Sequence, residues 1–249
     1  MVERVNYAYR ATTIAPLQLP LAAPIRLSEV LSAGLRLEAG AFGIEAHSAV
    51  AALQASGIPL IPLYGKDGLC KEAHNAFHFR RTYVEPDYGV PFLSSSDIIN
   101  MRPDIHHYLS RKLTKKLDHL IVKQWDVLIS CSGTIGNVGL AGVTLTGMAL
   151  SQDAIRARTS NPEEAGYVSA FLRCRYGRPQ LIGAKYGSVI THIEPVHLER
   201  IFIPDLHPVR LSAIGKLMCE AVNLRDEANQ LLDQADVLLR ERLKLPHLP

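Results

Sequence analysis

The sequence predicts an α+β fold: a mixed α and β body followed by a long C-terminal coiled-coil helix. Three observations predict it. From Ile58 to about Pro204, short apolar segments are broken by Gly, Pro, Asn and Asp, with no regular β-α-β alternation. Beyond Pro204 and Pro208 the chain runs to about Leu243 with no further proline and with Gly215 as its one internal breaker. Within that run Leu217, Leu224, Leu231 and Leu238 fall seven apart, and Ile214, Ala221, Ala228 and Ala235 hold the other apolar position. Steps of three and four therefore alternate over four heptads, the pattern of a coiled coil.

Taken in order, residues 1–57 read as an extended segment and a helix leading into the body. Pro16, Pro20 and Pro24 forbid a continuous helix near the start. Helical spacing of Ile44, His47, Val50 and Leu53 predicts a helix over 39–55, ended by Gly57. In the body, 58–208, strands are expected at 119–122, 126–130, 138–141, 170–175 and 188–193. Short helices are expected at 96–99 and at 161–168, the second opened by Asn161 as cap and Pro162 as first helical residue. Residues 209–243 form the long helix, and 244–249 a tail. About 30 helical residues span roughly 45 Å, more than a body of this size covers alone. An antiparallel helix pair, within or between chains, is expected, with the Leu/Ala seam 214–238 at its centre. The flanking Met218, Val222, Leu232 and Leu239 widen the apolar face, so more than one surface of the helix is covered.

Composition excludes several classes. With 47% hydrophobic and 20% charged residues the chain is globular rather than disordered. No apolar run approaches the ~20 residues that cross a bilayer, and the first residues lack a signal peptide's apolar centre, so a cytoplasmic protein without membrane contact is expected. Cys70, Cys131, Cys174 and Cys219 are scattered, which suits a reducing compartment.

The net charge of +3 is mild, but its distribution is uneven. Residues 100–125 carry +4 and residues 156–188 another +4, whereas six bases and six acids balance from Val209 onward. Arg111, Lys112, Lys115 and Lys116 are dense enough to share one side if that stretch is helical. Lys66, Lys71, Arg80 and Arg81 lie in an irregular stretch with His74, His78 and Tyr83, and Arg178 and Lys185 belong to the second basic segment. Such clusters neutralise phosphates, although for any single cluster a solvated face is the commoner explanation.

Chemistry-bearing motifs are few. The stretch Ser132-Gly133-Thr134-Ile135-Gly136-Asn137-Val138-Gly139 lacks the Gly-Lys-Ser/Thr of a phosphate loop and reads as a turn between two strands. His74 and His78 are four apart and could share a helix face, but they have no Glu partner and no third ligand, so no metal and no cofactor is expected. No nucleophile, base and acid form a recognised signature, so no catalytic residue is expected.

The stretch Asp126-Val127-Leu128-Ile129-Ser130-Cys131-Ser132-Gly133-Thr134-Ile135-Gly136 resembles a motif of the specificity subunits of type I restriction–modification systems. Further matches follow the family's order: Phe92-Leu93-Ser94-Ser95-Ser96-Asp97-Ile98; Gly166 to Leu172; Lys185-Tyr186-Gly187-Ser188-Val189-Ile190 with Ile193; and Leu198-Glu199-Arg200-Ile201-Phe202-Ile203-Pro204. The resemblance implies a mixed α/β target-recognition domain followed by the long helix, reading double-stranded DNA for separate partners. These are a DNA methyltransferase (modification) subunit and, where the system cleaves, a restriction subunit. One recognition unit and one helix imply either a half-subunit that pairs with itself or with a second recognition unit through residues 214–238, or a one-domain relative from another phage-defence or methylation system. Ser95 and Tyr186 join the candidate DNA contacts on their place in these motifs. A coiled-coil adaptor indifferent to DNA is the alternative.

Overall fold

The computed structural model describes residues 26–32, 43–187 and 191–244. The proline-spaced opening, the first residues of the helix expected over 39–55, the strand start at 188–190 and the tail beyond Lys244 lie outside the described residues.

Two helices come first, α1 (Leu27–Ser32) and α2 (Ile44–Ala55). Among the described residues nine short strands follow: β1 (Leu60–Pro62), β2 (Glu72–Asn75), β3 (Gly89–Leu93), β4 (Tyr108–Ser110), β5 (Val127–Ser130), β6 (Val138–Leu140), β7 (Ala149–Leu150), β8 (Ala154–Arg158) and, after two helices, β9 (Phe202–Pro204). The helices before β9 are α3 (Pro162–Arg173) and α4 (Arg178–Gly183), and α5 (Pro208–Leu243) closes the chain. The strands form three small sheets, in the orders β1-β9, β2-β8-β5-β6 and β4-β3-β7. All pairings are antiparallel except β3 with β7.

The four-stranded sheet divides the interior. One of its faces sends Val127, Ile129, Val138, Leu140, Ile155 and Ala157 into the main core beneath α3, with Val168, Phe171 and Leu172. Leu128 and Ala154 point to the other side, into a smaller cluster with Leu93, Ile98, Val122 and Leu145. This alternation along β5 and β8 is the period of two expected of a strand buried on both faces. A third cluster, with Val90, Phe92, Leu109 and Leu120, underlies the β4-β3-β7 sheet.

The turn between β5 and β6 is a hairpin connection in which Gly133 and Gly136 take positive φ values of 69° and 98°. Ser130 Oγ bridges it, donating to the Thr134 carbonyl and accepting from the Asn137 N–H. The turn read from the glycine spacing is what forms.

Other expectations are corrected. The segment 170–175 is not a strand: α3 runs unbroken to Arg173, since no breaker separates Val168 from Ala170 and both halves bury one side in the main core. At 119–122 there is a 3-10 turn over Leu117–His119 and a single bridge from Ile121 to Ala149. Tyr186 and His192 pair as an isolated bridge rather than within a strand. His74 lies on β2 and His78 in the following loop, so they share no helix face.

The long helix stands as expected, capped by the His207 side chain, which accepts from the Val209 N–H, with Pro208 at its first position. It packs across α3 where two glycines meet. A Cβ on Gly166 would come within 2.3 Å of the Gly215 carbonyl oxygen, and one on Gly215 within 1.9 Å of the Glu163 carbonyl oxygen. Further along, Asp226 accepts from the Val143 N–H, and Asn229 donates to the Met101 carbonyl at 2.9 Å. Arg102 pairs with Asp233.

Candidate nucleic-acid interface

Two surfaces stand out, one basic and one apolar. The basic one begins at the segment Arg111-Lys112-Leu113-Thr114-Lys115-Lys116, which is a turn and not a helix. It is held from beneath. Ser110 Oγ accepts from the Leu113 N–H at 3.2 Å, the Thr114 N–H donates to the Ser110 carbonyl at 3.1 Å, and the Thr114 side chain is buried. Lys116 adopts the left-handed conformation, φ 50°, from which the next 3-10 turn starts. A non-glycine residue held there is a small strain that the surrounding bonds maintain. The cluster expected on one helix face is thus splayed: Arg111, Lys112, Lys115 and Lys116 are all exposed around the turn.

The loop 76–88 lies alongside. The Ser110 N–H donates to the Thr82 carbonyl at 2.9 Å, and the Lys116 ammonium sits 5.6 Å from the centre of the Phe77 ring. Tyr83 stacks on His107 with centroids 4.4 Å apart. Arg80 and Arg81 are exposed on this loop. Arg81 is fixed, its Nη2 donating to Gln152 Oε1 at 3.1 Å and its guanidinium lying 5.2 Å from the centre of the Phe92 ring. Arg80, Arg81, Arg111, Lys112, Lys115 and Lys116 are therefore exposed on two segments joined by the Ser110–Thr82 bond and the Lys116–Phe77 contact, among the half-exposed rings of Phe77 and Tyr83, and Arg81 is also paired with Asp153 at 3.7 Å.

The remaining candidates belong to other elements. Lys66 is exposed in the connection from β1 to β2, and Lys71, also exposed, donates to the Gly68 carbonyl at 3.1 Å. Ser95 is half-buried before the 3-10 turn at Asp97–Ile99. Arg178 is exposed at the start of α4, beside Gly136 of the β5–β6 turn. Lys185 and Tyr186 follow α4 and are half-buried. The Tyr186 hydroxyl donates to Glu194 at 2.5 Å and its ring stacks on His197. That hydrogen bond to a carboxylate, with burial second, pushes its pKa up to about 12.

Behind the basic surface lies a feature that hydropathy reading missed. Arg156, in the middle of β8, is fully buried. Its Nη1 donates to the Leu120 carbonyl at 2.8 Å, while Nε and Nη2 have no hydrogen-bond partner among the described residues. Burial lowers its pKa to about 10, so it keeps its charge at neutral pH. Its cross-strand neighbour is His74. Nothing in the local pattern Ala-Ile-Arg-Ala-Arg distinguishes a buried arginine from an exposed one.

The apolar surface is the outer side of α5. Leu217, Leu224, Leu231 and Leu238 are 69%, 58%, 57% and 56% exposed. The side that meets the body is another stripe, Leu211, Gly215, Met218, Val222, Asp226 and Asn229, about 165° around the helix from those leucines at 100° per residue. The seam does not serve the chain's own body, while Met218 and Val222 do. From Gln230 to Leu243 every residue but Arg240 is exposed.

Among the described residues no three His, Cys, Asp or Glu side chains gather to hold a metal ion, and no helix is long and apolar enough to cross a membrane.

The solved structures similar to this chain include specificity subunits of type I restriction–modification systems. The HsdS subunit from Thermoanaerobacter tengcongensis shares 18% identity at a TM-score of 0.41, over 69% of this chain and 40% of that one. A structure of the type I R-M system, described for its complex assembly and conformational transition, shares 18% identity at a TM-score of 0.48, over 88% and 54%. The S subunit of the type I restriction–modification system from M. genitalium shares 13% identity at a TM-score of 0.42, over 73% and 47%. The chain thus spans about half the length of the chains it matches. At these values the likeness assigns no activity and no partner. No protein-family model and no curated protein matches the chain.

Proposed function

We propose that this chain is a sequence-specific double-stranded DNA recognition subunit of a type I-like restriction–modification system, or of a related phage-defence methylation system. On this reading it is not an enzyme; it directs a methyltransferase subunit, and where the system cleaves a restriction subunit, to the target. Residues 58–208 are the recognition domain and 209–243 the coiled-coil helix that pairs with a second recognition unit, in a homodimer or with another chain.

The observation that carries this reading is the set of six exposed cations on two adjoining segments, 76–88 and 110–116, bonded to each other through Ser110–Thr82 and Arg111–Tyr88. Cations carried on a backbone that is already hydrogen-bonded can straddle phosphates without further ordering of that backbone, and they position a reader whose neighbouring groups reach base edges. Arg178, Lys185, Tyr186, Lys66, Lys71 and Ser95 extend the proposed contact set. The exposed Leu/Ala seam supports the pairing half of the reading, because a single molecule leaves it in water.

Selection of bound duplexes from a random library tests the proposal, with affinity followed against salt. Each neutralised phosphate contributes about −0.9 to the slope of log K against log salt. Lys115→Ala with Lys116→Ala should therefore flatten the slope by about 2 and weaken binding to all duplexes alike. A chain that dimerises but selects no duplex would support the adaptor reading instead.

A further inference from the structure

We infer that Leu113 reads a base directly, closing on the 5-methyl group of a thymine in the major groove. The inference deepens the proposed DNA-reading role and rests on it. The turn 111–116 and the 3-10 turn that follows it send one apolar side chain inward and one outward. Leu117 packs against the β4-β3-β7 cluster, whereas Leu113 is 65% exposed in the turn, with two cations before it and two after its neighbour Thr114. The register is fixed, since Thr114 is buried and the Leu113 N–H is bonded to Ser110 Oγ.

Charge complementarity limits what can cover this leucine. An occupant must be apolar at the centre and negative on both sides within the width of a six-residue turn. A protein or lipid surface of that pattern would need an apolar centre flanked by acids; duplex DNA has it wherever a thymine methyl lies between two phosphate backbones. The major groove, about 12 Å wide, admits such a turn, and apolar side chains there distinguish thymine by its methyl group. Because backbone bonds hold the turn, little ordering is required on contact, and the methyl-to-methyl burial is kept as affinity.

The test uses the full chain, with any subunit that co-purifies, and the duplex it selects. Each thymine is replaced in turn by deoxyuridine, which removes only the methyl. At one position the wild type should weaken about fourfold, the worth of one buried methyl group. Leu113→Ala should weaken by a similar factor on the thymine duplex and be indifferent to deoxyuridine at that position. Leu113→Met, which keeps apolar reach, should retain the response. A wild type that selects a duplex yet tolerates every deoxyuridine, or a Leu113→Ala variant as methyl-sensitive as the wild type, overturns the inference and leaves DNA reading standing. A wild type that selects no duplex sinks both.

Discussion

The crossing of α3 over α5 depends on two hydrogen atoms where other residues carry carbon. In Gly215→Ala the new Cβ would lie 1.9 Å from the Glu163 carbonyl oxygen, and contacts below about 3 Å are not sustained, so the helices must part by about 1 Å at that point. The obstacle is backbone on backbone, and no rotamer change relieves it. Alanine for glycine inside a helix contributes about 1 kcal/mol of stability when nothing is in the way. Overpacking a tight contact costs about 1–3 kcal/mol and more where the backbone must move. Taking about 3 against about 1, Gly215→Ala should be less stable by about 2 kcal/mol, or about 4–8 °C in Tm for a domain of this size. Urea unfolding followed by circular dichroism reads this as a lower midpoint at unchanged slope. Gln230→Ala, at an exposed position of the same helix, reports propensity without the clash. If Gly215→Ala unfolds at or above the wild-type midpoint, the helices are not in contact through these glycines and the described crossing is wrong.

Two further outcomes follow from the surface and the sheet. Leu224→Glu with Leu231→Glu should abolish self-association measured by light scattering while leaving the helical signal intact, because both side chains are exposed in the single chain; a variant still dimeric refutes the seam as the pairing surface. His74 should make the fold acid-sensitive. Burial, then the guanidinium groups of Arg156 and Arg158, hold its pKa below the ordinary 6.5, against the opposing pull of Asp126 and Glu72. The unfolded chain binds the proton more readily, so stability is full above about pH 6.5 and declines as the pH falls through that value toward the folded pKa. Urea midpoints at about pH 7.5 and about pH 5.5 should differ, and the difference should shrink in His74→Gln; an unchanged difference would place the titration elsewhere.

What could be read beforehand was set by contrast along the chain. The long helix was legible because Pro208 opens it and nothing but Gly215 interrupts it. The β5–β6 hairpin was legible because the apolar run Val127-Leu128-Ile129 meets a glycine turn. Strands such as β1, β4 and β7 are two or three residues long, too short for a period of two to appear, and they are held by neighbours distant in sequence. The apolar run after Val168 looked like a strand because hydropathy alone does not separate a buried strand from the last turn of a buried helix. The outer seam of α5 was visible as leucines. Of its inner stripe only Met218 and Val222 were, since Gly215, Asp226 and Asn229 serve fit and hydrogen bonding rather than apolarity. In the same way Arg111–Lys116 were visible as charge, while their splayed display depends on Ser110, Thr114 and the left-handed Lys116.

The exposed end of α5 has a mechanical meaning. Among the described residues its last polar contacts with the body are at Asn229 and Asp233, and the helix continues about 15–20 Å past them. A rod held at one end is a lever, and a tilt of 10° at the glycine crossing would carry its tip several ångströms sideways. The absence of two methyl groups, at Gly166 and Gly215, thereby aims the far end of the molecule.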